Sequence, residues 1–330
     1  MPCYHPLKAW RKKSLSQKSI NKMIGDIGYC SKKSVLDAYV AFSGSQITFS
    51  PADGIPGTEM LIPCGQCIGC RLEYSRQWAV RAIHEAKLHE QNCFITLTFN
   101  DKHLPLDKSI HVEDVQKFLK RLRKSIAPKK VRFMACGEYG TRFGRPHYHL
   151  LLFGFDFPDK VIRSKRLDNI YYVSPLLSKL WPFGYHIIGD VKFESAAYVA
   201  RYILKKQKGL DEEAYKKHYG DRKKEFMTVS RRPGIAHDWI AKYKNDVYSR
   251  DDIVIRGKKH CRPPRYYDNY LELVNPVEYE LVKHARYMAG LASKENPNNT
   301  AERLLEREFL KVKKLEDCIR VYENCMNEFE

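Results

Sequence analysis

Two histidines one residue apart, His147 and His149, stand inside the run Pro146-His-Tyr-His-Leu-Leu-Leu-Phe-Gly154, whose other side chains from Tyr148 to Phe153 are aromatic or aliphatic. A continuous apolar run of that length, closed by a glycine, predicts a buried strand. Side chains alternate faces along a strand, so the two imidazoles point the same way, about 7 Å apart at the usual rise. A pair of imidazoles on one strand face suits a divalent metal.

Fifty residues on, Tyr198-Val-Ala-Arg-Tyr-Ile-Leu-Lys-Lys206 has helical spacing and no breaker before Gly209. Tyr198 and Tyr202 are i and i+4, with about 6 Å of rise between them on one helix face. Two phenols so placed can visit the same point in space. Val199 and Ile203 share that spacing and predict an apolar stripe of their own, separate from the tyrosines.

A His-x-His strand followed by a helix with paired tyrosines resembles the HUH endonuclease superfamily, which starts rolling-circle replication, conjugation and some transposition. Tyr-x-x-x-Tyr followed by lysines is similar to the replication initiators of the Microviridae. Phe94-Ile-Thr-Leu-Thr-Phe99 resembles the first motif of that group, the histidine strand the second and the tyrosine helix the third, in the same order. With Cys64-Gly-Gln-Cys67-Ile-Gly-Cys70 and Ser230-Arg-Arg-Pro-Gly234, the likeness is to the gokushovirus-type initiator in particular. It is strongest over residues 94 to 206, weaker over 64 to 93 and 207 to 270, and absent over the last fifty.

The resemblance implies an α+β fold, a central antiparallel sheet with an RRM-like core flanked by helices. It implies metal-dependent, site-specific nicking of single-stranded DNA at a phage origin through a 5′-phosphotyrosine on Tyr198 or Tyr202, then strand joining that releases a circle. It places a third, acidic metal ligand on the strand beside the histidines, and Glu138, in Gly137-Glu138-Tyr-Gly140, stands at that point; Asp190 is the alternative. Two imidazoles and a carboxylate accept Mg²⁺ or Mn²⁺, the nitrogens tilting affinity toward Mn²⁺. Arg201 and Lys205 are auxiliary cations. Arg201 departs from the lysine often found before the second tyrosine and offers a flat fork of donors in place of a point charge.

The bulk properties agree with a nucleic-acid partner. Lys and Arg number 58 against 39 Asp and Glu, a formal charge of +19, and 12% of residues are aromatic. Such an excess favours a polyanion, and the rings suit unpaired bases. No run approaches the ~20 apolar residues of a membrane span, and the first thirty residues hold no apolar core of a secretion signal. The expected location is the host cytoplasm. The 10 cysteines are then reduced thiols or metal ligands in preference to a disulfide framework. Cys64, Cys67 and Cys70, with Gly65 and Gly69 between them, bring three thiols around one ion. Tetrahedral zinc needs a fourth ligand, for which Cys3 comes first, ahead of His5, His84 and Cys93. An iron-sulfur cluster fits the same spacing; a zinc ion there is structural.

Along the chain, residues 1–93 read as an N-terminal extension with strand candidates at 39–42 and 46–49, the cysteine cluster and a helix from Arg71 to Gln91 closed by Asn92. Arg71, Arg76, Arg81 and Lys87 fall on that helix's polar side. Residues 94–206 form the endonuclease core: strand 94–99 with Thr96 and Thr98 on one face, helix 112–126 on Val115, Phe118, Leu119, Leu122 and Ile126, strand 131–136, a Gly- and Arg-rich hairpin, the histidine strand, an insertion at 156–182, strand 185–193 and the tyrosine helix. Residues 207–275 form a basic DNA-contacting region, with Arg145, Lys206, Arg231 and Arg232 as DNA-binding residues. Residues 276–330 form C-terminal helices, the last with Leu305, Val312, Ile319 and Met326 every seven residues, a pattern for packing or self-association. Host polymerase and helicase are the expected partners. The competing readings are a non-enzymatic, zinc-stabilised DNA-binding or packaging protein, and a plasmid relaxase or transposase of the same superfamily.

Overall fold

A computed structural model describes residues 3–12, 47–54, 56–140, 144–166, 169–205, 216, 220–256, 259–292 and 297–326. Seven strands form one antiparallel sheet. In chain order they are β4 (Asn92–Phe99), β5 (Arg132–Tyr139), β6 (Pro146–Phe153), β7 (Val161–Arg166), β8 (Asn169–Val173), β9 (Gly184–Gly189) and β10 (Phe226–Val229), arranged β10-β5-β6-β4-β9-β8-β7. The histidine strand β6 is therefore central, bonded to β5 on one side and β4 on the other. A small sheet of β1 (Leu7–Arg11), β2 (Ile47–Thr48) and β3 (Met60–Ile62) precedes it. The strand candidate at 46–49 thus contains β2, whereas that at 39–42 lies outside the described residues.

Both faces of the large sheet are covered, which is why β6 reads as nearly continuous apolar sequence. On one face Ile95, Leu97, Tyr148, Leu150 and Leu152 pack with α2 (Val112–Ile126), whose buried residues are the five its periodicity selects. Burying Phe118 fully contributes about 1.5–3 kcal/mol. Glu113 and Asp114 in the first turn and Arg123 and Lys124 in the last complement the helix dipole. On the opposite face Phe94, Cys136, Leu151 and Phe153 join one cluster with α1 (Ile68–Ala86), α4 (Phe193–Lys205), α5 (His237–Tyr248) and α6 (Arg265–Val274). α3 (Pro175–Leu180), the hairpin β11 (Ile253–Arg256) and β12 (Lys259–Cys261), α7 (Pro276–Ala292) and α8 (Ala301–Met326) complete the fold. Among the described residues, no helix is long and apolar enough to cross a membrane.

Two local expectations are corrected, and two regions gain detail. Helix α1 ends at Ala86, before Gln91, and Asn92 opens β4. The Asn92 amide explains the early stop, because it donates to the carbonyls of Ala86 (3.0 Å) and His89 (3.1 Å) that a longer helix would have used. Arg81 is buried, not on a polar face: its guanidinium lies 4.2 Å from the Trp78 ring centroid and 3.8 Å from that of Tyr266 and donates to the Ile235 carbonyl. The insertion at 156–182 carries β7, β8 and α3 and widens the sheet. Likewise, part of the basic region supplies β10, which pairs with β5 from Phe226↔Gly137 to Val229↔Met134.

Candidate active site

Strand register builds the site. Across three adjacent strands Glu138 pairs with His147 and His147 with Thr98, while Cys136 pairs with His149 and His149 with Thr96. Directly opposed residues share a face, so β4, β5 and β6 together present two imidazoles, a carboxylate and two hydroxyls on the side that α4 covers. Gly137 makes this geometry available at the sheet's edge. A Cβ there would lie 2.6 Å from the Phe226 ring, so any larger residue forces that ring to move where β10 pairs beside Glu138.

His147, His149, Glu138, Thr96 and Thr98 are all buried. Thr98 Oγ1 lies 2.8 Å from His147 Nδ1 and Thr96 Oγ1 lies 2.9 Å from His149 Nδ1. With the Thr98 hydroxyl accepting from Nδ1–H, His147 Nε2 carries the lone pair, the arrangement that metal-binding histidines use; His149 reaches the same tautomer only when Glu138 no longer accepts from its Nε2–H. His149 Nε2 is hydrogen-bonded to Glu138 Oε1. The two rings have centroids 6.5 Å apart, close to the spacing expected from the strand, and Phe94 stacks on His149 at 5.7 Å and 6°.

Helix α4 brings the phenol. Ser195 holds its start, accepting from the Lys192 amide (2.9 Å) and donating to the Asp190 carbonyl (3.2 Å). Ala196, Val199 and Ala200 are fully buried, and Ser75 Oγ of α1 reaches the Ala197 carbonyl at 3.4 Å. Tyr198 is buried with them, so it packs in the core as well as facing the site, unlike the separate stripe expected from Val199 and Ile203. Its hydroxyl donates to Glu138 Oε1 at 3.0 Å, and its ring meets that of His149 edge-on, with centroids 5.1 Å apart at 88°. Glu138 is thereby brought to His149 and Tyr198, whereas the Asp190 side chain is exposed. The side chains of Arg201, Tyr202 and Lys205 lie outside those described, as does Lys206. Arg145 donates to the Phe99 carbonyl (3.0 Å) and pairs with Asp101, and Arg231 and Arg232 are exposed after β10.

A second centre lies at the start of α1. Cys3, Cys64, Cys67 and Cys70 have sulfurs all within 4.8 Å of one another, the one such ligand set among the described residues. Amides of Tyr4 (3.3 Å) and Cys64 (3.2 Å) donate to the sulfurs of Cys67 and Cys3. Burial opposes ionisation of Cys67, but donors that include the Cys70 and Tyr4 amides outweigh it and bring the thiol down to about 6. Burial raises Cys3 and Cys70. Of the other fourth-ligand candidates, His5 bonds Glu308, His84 bonds the Tyr267 hydroxyl, and Cys93 is buried in the α2-facing core.

The sequence alone puts Thr96 and Thr98 on one face and gives them no role. The signal was the register itself, since two threonines at i and i+2 on a strand beside a His-x-His strand face the rings. Among the described residues, the fold and this site define a sheet-borne cluster of imidazole, carboxylate and phenol. The family model for replication-associated protein ORF2/G2P matches residues 92–207, the stretch from β4 through α4. Replication-associated protein VP4 of Bdellovibrio phage phiMH2K is 32% identical over 226 residues, covering 66% of this chain and 69% of that protein. Replication-associated protein ORF2 of Spiroplasma virus 4 is 34% identical over 224 residues, covering 64% and 68%. Replication-associated protein ORF4 of Chlamydia phage 1 is 30% identical over 223 residues, covering 65% and 54%. The chain belongs to this Microviridae-type family of phage replication-associated proteins. No solved structure matches it.

Proposed function

We propose that the chain is a rolling-circle initiator of the HUH type, a tyrosine endonuclease that nicks single-stranded origin DNA and rejoins the product. The observation that carries this reading is the Tyr198 hydroxyl donating to Glu138 Oε1 at 3.0 Å while Glu138 also engages His149. A free phenol has a pKa near 10 and attacks poorly at neutral pH. Here its proton already has a carboxylate acceptor.

In the reaction the Tyr198 oxygen bonds to the scissile phosphorus and the bond from phosphorus to the 3′ oxygen breaks. The phenolic proton passes by way of Glu138 to the departing oxygen, leaving a 3′ hydroxyl for a host polymerase and a 5′ phosphate on tyrosine. Mg²⁺ or Mn²⁺ held by His147, His149 and Glu138 would polarise the phosphate and offset its developing charge. The threonine contacts to both Nδ1 atoms support such a site. Because the phosphodiester is conserved in the adduct, a 3′ hydroxyl can attack it and close a circle without ATP. Tyr202, one turn along α4, is the second nucleophile, so that one phenol cleaves the regenerated origin while the other releases product. Arg201 and Lys205 assist the phenolates, and Lys206, Arg145, Arg231 and Arg232 hold the strand. The four cysteines hold a structural Zn²⁺.

Incubation with labelled single-stranded origin DNA and Mn²⁺, resolved on a denaturing gel, tests the reading. Wild-type protein should form a DNA adduct. Tyr198→Phe and Tyr202→Phe should each retain a single cleavage and lose cleavage coupled to joining. An adduct that persists in the double variant overturns the assignment.

A further inference from the structure

We propose that a cavity across the sheet from the histidines holds one unpaired base of the DNA strand, fixing which phosphate reaches Tyr198. The inference rests on the nicking function above. The cavity measures about 570 Å³, within the range of small-molecule sites, and its apolar wall is made by Phe99, Trp181 and Phe183. These rings pack tightly: Phe99 and Trp181 have centroids 5.0 Å apart, and Trp181 and Phe183 5.2 Å. Lys117, Arg121 and Lys223 supply positive charge at the same cavity.

Its place in the fold ties it to the site. Thr98 faces His147, and the next residue of β4, Phe99, turns its side chain to the opposite face and lines the cavity. Trp181 Nε1 donates to the Thr98 carbonyl at 3.2 Å, so the cavity wall is anchored to the residue that positions His147. A strand turning around this end of the sheet can place a phosphate at Tyr198 and a neighbouring base against the half-buried ring of Phe183, which Phe99 and Trp181 back from behind. Stacking on an aromatic wall beside cations is how single strands are held.

The polar groups favour a base over a phosphate. Glu113 and Asp114 line the cavity in the first turn of α2, where they oppose an anion and can accept hydrogen bonds from the amino groups of a base. Arg121 stands over Phe183, 5.4 Å from its centroid, and donates through Nε to the Leu180 carbonyl.

The test measures anisotropy of labelled single-stranded origin oligonucleotides on the full chain carrying Tyr198→Phe and Tyr202→Phe, with an abasic site moved along the strand. One position should weaken binding about tenfold when abasic. Phe183→Ala should weaken the intact oligonucleotide to a similar degree and abolish the extra cost at that one position only. Lys117→Gln, an exposed change that spares folding, should weaken binding severalfold at every position. No sensitive position, or an abasic cost unchanged in Phe183→Ala protein whose circular dichroism is native, overturns the proposal. The nicking reading is scored separately by adduct formation in the wild type. An adduct without the abasic coupling sinks the cavity alone, and coupling without an adduct keeps the cavity and sinks the nicking.

Discussion

A histidine offers a metal one nitrogen, and whatever holds the other nitrogen decides which. Here both Nδ1 atoms lie against threonine hydroxyls of β4, so Thr96 and Thr98 orient the rings that the metal would meet. Replacing Thr98 with valine keeps the shape and removes the hydroxyl, leaving a buried imidazole nitrogen without that partner. Mn²⁺ affinity, followed by the spin-resonance signal of the free ion, should fall about 10- to 100-fold with the melting profile close to native. Unchanged affinity would reduce the threonines to packing residues. His84 behaves differently: it stacks on Trp239 at 3.5 Å and bonds Tyr267, and burial with the nearby Lys87 charge lowers its pKa to about 3. The unfolded chain binds a proton near pH 6.5 that the folded chain refuses. Stability present above pH 6.5 is therefore lost as pH falls toward 3, by up to about 1.4 kcal/mol per pH unit. Denaturant titrations should show that slope flatten in His84→Gln, even if that variant starts less stable.

At the scale of elements, β6 and α4 are held by different means, and this decides what could be read in advance. Strand β6 declared itself through uninterrupted apolar residues and α2 through its five-residue stripe, because burial imposes its period on the sequence. Register was not legible: Glu138 came only from the resemblance, and its pairing with His147 and that of His147 with Thr98 come from the structure. Strand β10 did not declare itself either, since Phe226–Val229 sits in a basic tract whose charge dominates the pattern, and its partner β5 lies ninety residues earlier. Arg81 escapes the helical pattern for a similar reason: its aromatic neighbour Tyr266 arrives from α6, beyond the reach of any helical period. Gly137 gives a test at this scale. Gly137→Ala should cost about 1–3 kcal/mol by forcing the Phe226 ring away, as overpacking does. Phe226→Leu in the same chain should recover part of that loss in chemical denaturation, and additive losses would show that the ring is not the obstacle.

Across the whole molecule, the cysteine centre joins segments far apart in the chain. Cys3 precedes β1, Cys67 caps α1, and Leu304 of α8 is buried in the same small cluster with Tyr4 and Cys67. The His5 to Glu308 contact at 2.6 Å joins the same two ends, but His5 is exposed and such pairs are worth little. The cluster holds few apolar residues, so four thiolates around one ion would be its strongest tie, and metal binding there would be folding energy for these segments alone. The large sheet, by contrast, rests on its two covered faces. Cys70→Ser, or zinc removal by a chelator under reducing conditions, should therefore expose residues before β3 and within α8 to limited proteolysis while a fragment containing β4 to β10 survives. Elemental analysis of the purified wild type should find about one zinc per chain, and its Cys70→Ser counterpart much less. If the protein carries no zinc, or if cleavage spreads at once through the sheet, the centre is either unmetallated or essential to the core, and the division of labour argued here fails.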